Sequence, residues 1–263
     1  MMNIFHRKTV FVTCLAAMLG LSAFAQMPGG GTPPPRPGGQ GGFPAMRQPQ
    51  KIQTPTNRAD YFTPATAGSV KPDEKGFIRR WVLLEPINKP NRTNTVFTDS
   101  YLNQVFDTVY FKDQFTVLPK DGDKVKVGKK EKLTWHAFDS KLFNVKLYRY
   151  AASMDRKERH VYGVLFWAVT VIDCAEDMEN VRLSAGSNSA SKWWLNGEEV
   201  LLLSGDRRMV VDDGQSHRLT LKKGRNVLRA AIINGPGMSD FCVRFVKEDG
   251  TPVTNININY PLQ

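Results

Sequence analysis

Cysteine is scarce, with three in 263 residues; Cys14 falls in an N-terminal apolar stretch, which leaves Cys174 and Cys242. That count and spacing exclude a C-x-x-C redox pair and a multi-cysteine zinc site. The two can meet as a disulfide or stay apart as buried thiols. A bridge would close a loop of roughly 70 residues and stabilise by about 4 kcal/mol through chain entropy. Histidine is almost as rare: beyond His6, only His136, His160 and His217 occur, each isolated from the others, so no ligand-spaced metal cluster is present. No G-x-S-x-G pentapeptide exists, which removes the strand-to-helix nucleophile turn of serine hydrolases. GGGTPPPRPGG is glycine-rich but lacks the strand and helix that flank a phosphate loop. After residue 25 there is no apolar run of about 18 residues, so no later segment is expected to span a membrane as a helix.

Residues 1–25 carry Arg7 and Lys8, then an apolar run, then Ala23-Phe24-Ala25, the small-x-small pattern of a signal-peptidase site. Cleavage before Gln26 and export to the periplasm, cell surface or medium are the expectation. From Gln26 to Asn57 close to half of the residues are Pro or Gly. Such a segment buries too little apolar area to offset its ordering entropy and reads as a disordered linker.

The formal net charge of +11 is compatible with an acidic partner. Its distribution argues against nucleic acid, because the densest run, Lys120 to Leu133, alternates lysine with valine as the solvated face of a hairpin does. An acidic polysaccharide stays open.

The folded region, 58–263, reads as strands: GFIRRWVLLEPI, DQFTVLP, KVKVG, KLTWHAF, NVKLYRYA, GVLFWAVTVIDC, NVRLSAGS, SKWWLNGEEVLLL, HRLTLKKGRNVLRAAIIN and DFCVRFVKEDGTPV. The one helix expected is TDSYLNQVFDTVYF, with Thr98 or Asp99 as cap and Leu102, Val105, Phe106 and Val109 on one face. Many short strands with turn signals every 8 to 12 residues predict an all-β jelly-roll sandwich.

SKWWLNGEEVLLL sets two tryptophans before an Asn196-Gly197 turn. A two-residue turn pairs Leu195 with Glu198, Trp194 with Glu199 and Trp193 with Val200. Period-two alternation then places Trp193, Leu195, Val200 and Leu202 on a core face, and Trp194, Glu199, Leu201 and Leu203 opposite. Trp194, beside Lys192 and Glu199, becomes a ligand candidate, although the two leucines leave open that its face is covered. Loops are the other usual place for a site. GDRRMVVDDG offers Arg207, Arg208, Asp212 and Asp213, and NGPGMSDF offers Asn234 and Asp240; these side chains can bracket sugar hydroxyls, or be plain solvated turns. A structural Ca²⁺ held by the loop carboxylates is compatible with the same residues. A remote triad, for instance Ser187 with His217 and Asp212 or Asp213, stays open, as does a glycosidase pair of opposed carboxylates, although the acidic residues fall mostly in turns that explain them.

Several segments follow one recurring order. GFIRRWVLLEPI is similar to a strand of the form W-hydrophobic-hydrophobic-G-P, and FWAVTVIDCAEDMENVRLSAGS to YA-x-T-x-I-x-S-P with a strand ending in G-S-D. WWLNGEEV is similar to V-W-L-N-G-x-x-V, and LTLKKGRNVLRAAIINGPGMSDFCVRF to V-x-L-x-x-G-x-N-x-L-x-x-K-x-x-N-x-x-G-x-x-x-F-x-x-R. Together, over Gly76 to Gly250, the chain resembles the galactose-binding-like jelly-roll module that accompanies secreted bacterial glycoside hydrolases and esterases. It also resembles short exported chains labelled acetylxylan esterase. It departs at Asn188 and Ser189, where an Asp pair is usual. The resemblance implies an exported, non-catalytic protein that binds a polysaccharide or oligosaccharide, or supports a polysaccharide-degrading system beside a carbohydrate-active enzyme or envelope protein. A carbohydrate esterase, or a structural or partner-binding envelope protein, are the alternatives it leaves.

Overall fold

Val164–Cys174 and Ala190–Leu195 have no polar face, and a strand of that kind is stable only where both faces are covered. A computed structural model describes residues 56–261 apart from 92, 130 and 155–160, and it meets this demand with three layers. All of these residues lie within the unit Gln48–Gln263. The expected leader, the expected linker up to residue 55 and His160 lie outside the described residues.

The strands are β1 (Phe62–Pro64), β2 (Arg80–Leu84), β3 (Ile87–Asn88), β4 (Lys124–Val127), β5 (Glu131–Ser140), β6 (Val164–Cys174) and β7 (Met178–Ser187). There follow β8 (Ala190–Leu195), β9 (Glu198–Leu203), β10 (Gly214–Gln215), β11 (Leu219–Leu221), β12 (Gly224–Ile233), β13 (Phe241–Val246) and β14 (Asn257–Asn259); the helices are α1 (Asp99–Asp107) and α2 (Leu147–Ala152). The larger sheet runs β1-β5-β2-β6-β12-β8-β9, with β3 and β14 also paired to β6 and β4 to β5. The smaller sheet holds β7 between β13 on one edge and β10 and β11 on the other. All pairings are antiparallel, and the two sheets form the expected β-sandwich.

Between the sheets lies the main core. Val181, Leu183 and Ala185 of β7 and Phe241, Val243 and Phe245 of β13 face Trp81, Leu83, Phe166, Ala168, Ile172 and Trp193 of the larger sheet. The alternate residues of the larger sheet, among them Leu84, Trp135, Leu165, Trp167 and Trp194, face the other way. There Phe97, Leu102, Val105, Phe106 and Phe111 of the α1 region cover them as a second core. This double cover is why β6 and β8 lack a polar face.

Helix α1 is capped as its sequence predicts, Thr98 Oγ1 accepting from the Tyr101 N–H at 3.4 Å. It ends at Asp107, however, so Val109 leaves the buried face and is 67% exposed. Two expected strands are not strands. NVKLYRYA contains α2, because Leu147, Tyr150 and Ala151 recur at helical spacing and all are buried, with the Tyr150 hydroxyl donating to Leu83 O at 2.9 Å. DQFTVLP is a turn held by Gln114, whose amide accepts from Tyr110 N at 2.9 Å and donates to Thr108 O at 3.0 Å.

Cys174 and Cys242 are free and buried. Cys174 ends β6 just before Met178 opens β7, whereas Cys242 pairs with Gly186 near the far end of β7. At 3.3 Å per residue, that run of strand separates them by roughly 25 Å, far beyond disulfide reach.

The tryptophan hairpin keeps its Asn196-Gly197 turn, with φ of 53° and 90°, as a primed turn requires. Its register shifts between Trp193 and Trp194: Trp194 pairs with Glu199 but Trp193 pairs with Leu201. This bulge at Val200 reverses the expected sides of the last leucines. Leu201 and Leu203 join Trp193 in the main core, and Leu202 joins Trp194 in the second.

Candidate functional site

On its outer face the smaller sheet carries Ser184, Gly186, Cys242 and Arg244, residues alternate to the core set. The loop after β9 crosses this face, and only a glycine permits so close a passage: a Cβ on Gly186 would meet the Val210 carbonyl oxygen at 1.7 Å. The loop delivers Asp212 to Arg244. Nε of Arg244 donates to Asp212 Oδ1 at 3.0 Å, Nη2 pairs with Oδ2, and Ser184 Oγ donates to Oδ1 at 2.6 Å. The Arg244 hydrogen bonds hold the Asp212 carboxyl below its ordinary 3.8, against an opposing desolvation.

Beside this pair the turn at residues 73–77 is tied to the edge of β13. Phe77 bridges to Arg244, Asp73 Oδ1 accepts from Lys75 N at 3.0 Å and Phe77 N at 2.8 Å, and Arg244 Nη1 donates to Lys75 O at 2.8 Å. The Arg244 guanidinium lies 5.0 Å from the Phe77 ring centre, and Phe143 tilts against Phe77 at 5.2 Å. Between these groups opens a cleft of about 700 Å³, walled by Asp73, Phe77, Arg79, Phe143, Val211 and Arg244. Phe143 is 39% exposed and Val211 40%, and their neighbours Leu142 and Val210 are exposed as well. Exposed apolar groups gathered in this way beside fixed charges mark a binding site more often than a plain surface.

Of the residues singled out from sequence, only Asp212 reaches this cleft's framework. Arg207 pairs instead with Asp213, Nε to Oδ2 at 2.7 Å, and donates to Ser204 O. Arg208 is exposed. Asp240 is buried with Lys146, Nζ to Oδ2 at 2.7 Å, and burial raises its carboxyl above the ordinary value while Lys146 opposes the rise; Oδ1 lacks a partner. Asn234 is buried in the backbone framework, accepting from Val164 N and donating to Val161 O, each at 3.0 Å. Both loops are tied to the turn between β7 and β8: Asn188 N donates to Asp240 O and Ser189 N to Arg207 O, both at 2.9 Å.

Trp194 is not the open platform its alternation suggested. It is 6% exposed, stacks on Trp167 at 5.4 Å and 16°, and is edged by Phe115 at 5.8 Å. The α1 region and the turn after it cover that side of the sheet, a long-range contact with no local signature. Lys192 beside it is buried too, bonded to Asn103, Asp107 and Glu199.

The remote triad is not assembled. Ser187 is buried and bonded to Ser191, Asp212 to Ser184 and Arg244, and Asp213 to Arg207. His217 lies near Arg182 and Leu183 in the β7 register, roughly 13 Å along the strand from Ser187. Among the described residues no group of three or more His, Cys, Asp or Glu is placed to hold a metal ion, and the loop carboxylates proposed for Ca²⁺ are engaged by Arg207, Arg244 and Lys146.

Phe77, Phe143, Val211, Arg79 and Arg244 were not singled out by sequence. One signal was available for Phe143: Leu142-Phe143 sits in a short polar connection after β5, where two adjacent large apolar residues cannot both turn inward.

No family model and no curated protein matches the chain. Among solved structures, a PA14 sugar-binding domain from an RTX adhesin aligns at 8% identity and TM-score 0.38, over 68% of this chain and 96% of that one. The PA14 domain of the antifreeze protein MpAFP aligns at 11% identity and TM-score 0.38, over 74% and 96%. A β-glucosidase from Kluyveromyces marxianus in complex with glucose aligns at 19% identity and TM-score 0.32, over 46% of this chain and 14% of the enzyme, so the chain is similar to a minor part of that protein.

Proposed function

We propose that the chain is a carbohydrate-binding protein and that the cleft on the outer face of the smaller sheet is its site. The observation that carries this is the joint placement of the exposed Phe143 and Val211 with Arg79, Arg244 and Asp73 around one opening. An aromatic ring covers the C–H face of a pyranose, and fixed guanidinium and carboxylate groups engage its hydroxyls. The Asp212 clamp on Arg244 pre-organises one such group, lowering the ordering cost of binding. Export, inferred from residues 1–25, sets such binding at the envelope or outside the cell, in support of polysaccharide breakdown rather than in the chemistry itself.

The test is a titration of the purified protein against xylan, pectin and galactan fragments, with Phe143→Ala beside it. Binding weakened about tenfold in the variant is expected, from loss of the buried aromatic contact. No binding to any of the fragments refutes the proposal.

A further inference from the structure

We infer that the glycan bound in this cleft is acidic, a uronic-acid-containing saccharide whose carboxylate is received by Arg79; this rests on the carbohydrate reading of the same site. Arg79 borders two openings, the cleft described above and a second of about 370 Å³ walled by Thr63, Lys71, Asp139, Ser140 and Lys141. It thus stands between the two openings.

Around the two openings two acidic groups are paired with arginine and a third is hydrogen-bonded to backbone. Asp212 clamps Arg244, the buried Arg80 holds Asp139 through two hydrogen bonds of 2.8 Å, and Asp73 Oδ1 accepts two backbone N–H groups. Beyond these, the openings are lined by Glu74, Lys75, Arg79, Lys71 and Lys141, with the cations in excess. Among the described residues no hydrogen bond or ion pair engages the guanidinium of Arg79 or the ammonium of Lys71. Arg79 is part-buried and directly precedes β2, whose first residue, Arg80, is fully buried and paired with Asp139, so the backbone that carries its fork is anchored at the next residue.

A planar fork on anchored backbone matches a carboxylate in a two-bond arrangement, whereas a neutral hydroxyl leaves part of it unmatched. Phe143 and Phe77 lie in the same opening. A uronate combines a flat C–H face with a carboxylate on one ring, and so answers both features.

The experiment compares a galacturonic acid tetrasaccharide with its fully methyl-esterified form, the same backbone without charge, by calorimetry on the full chain. The acidic form is expected to bind roughly five- to tenfold tighter. Arg79→Gln is expected to bring the two forms to about equal affinity, the acidic form losing more than the ester, and added NaCl is expected to weaken mainly the acidic ligand. Phe143→Ala lowers both. Equal affinity for the two forms, or an acid preference unchanged in Arg79→Gln, overturns the inference and leaves the carbohydrate reading standing. Binding of neither form, nor of neutral xylan or galactan fragments, removes both. A short poly-glutamate peptide that binds as tightly as the acidic sugar, with the same dependence on Arg79, would overturn the inference by showing a site that reads charge alone.

Discussion

Replacing Gly186 with alanine tests whether the loop carrying Val211 and Asp212 truly rides on the smaller sheet. The added carbon would lie 1.7 Å from the Val210 carbonyl oxygen, 2.8 Å from the carbonyl carbon and 3.3 Å from the nitrogen, all backbone atoms that cannot rotate aside. Forcing such a contact costs about 1–3 kcal/mol. Lifting the loop also breaks the Asp212–Arg244 pair and the hydrogen bond from Met209 N to Asn188 Oδ1, at about 1 kcal/mol each. A loss of about 3–5 kcal/mol, in a domain of this size, lowers Tm by about 10 °C. The control is Gly197→Ala, where nothing lies within 4 Å and only the positive φ of 90° is disfavoured; it should cost about 1 kcal/mol. Thermal unfolding followed by near-UV circular dichroism measures both. Saccharide affinity should fall in Gly186→Ala and persist in Gly197→Ala. A Gly186→Ala protein that melts no lower than Gly197→Ala would refute the loop placement, and with it the geometry of the cleft.

Trp194→Ala should destabilise by about 3–5 kcal/mol in urea unfolding, because it empties a stacked position between Trp167 and Phe115; a near-neutral result would mean that side of the sheet is open. Asp212 has its pKa depressed by Arg244, so its stabilising contribution is complete above about pH 4 and is lost as pH falls through the lower folded value. The gap in urea midpoint between wild type and Asp212→Asn should therefore shrink between pH 5 and pH 2.5, and a gap independent of pH would contradict the pairing. Burial pushes the Cys174 thiol up to about 11 and Cys242 up to about 12, so both should resist a thiol reagent at pH 8 in the native state. Both should react after unfolding without reductant, as counted by mass spectrometry; failure to label them would reveal a bridge.

Much of the fold could be read directly. Period-two alternation located most of the strands, the Asn196-Gly197 pair located the hairpin, and Thr98 located the start of α1, each through preferences local to a few residues. Where two periods competed, in NVKLYRYA, the helical spacing won because it buries Leu147, Tyr150 and Ala151 together. The bulge at Val200 was hidden for a different reason. Leu203 must turn inward beside Gly214, whose missing side chain makes room for it, and that neighbour belongs to the other sheet.

The candidate site was far less legible. Asp212 has its partner Arg244 thirty-two positions away, and the cleft draws on residues 72–79, Phe143, Val211 and Arg244, which no spacing relates. Trp194 looked like a surface aromatic because its face is polar at Glu199, and only the packing of the α1 region encloses it.

By itself the sequence determined most of the strands, the hairpin turn and the α1 cap, since these follow from local backbone preference and from apolar runs that water will not tolerate. Tertiary structure alone decided which charges neutralise one another, which leave Arg79 free, and which aromatic residues meet in a common opening. Those outcomes depend on strand order and register, which bring distant segments to one face of the smaller sheet.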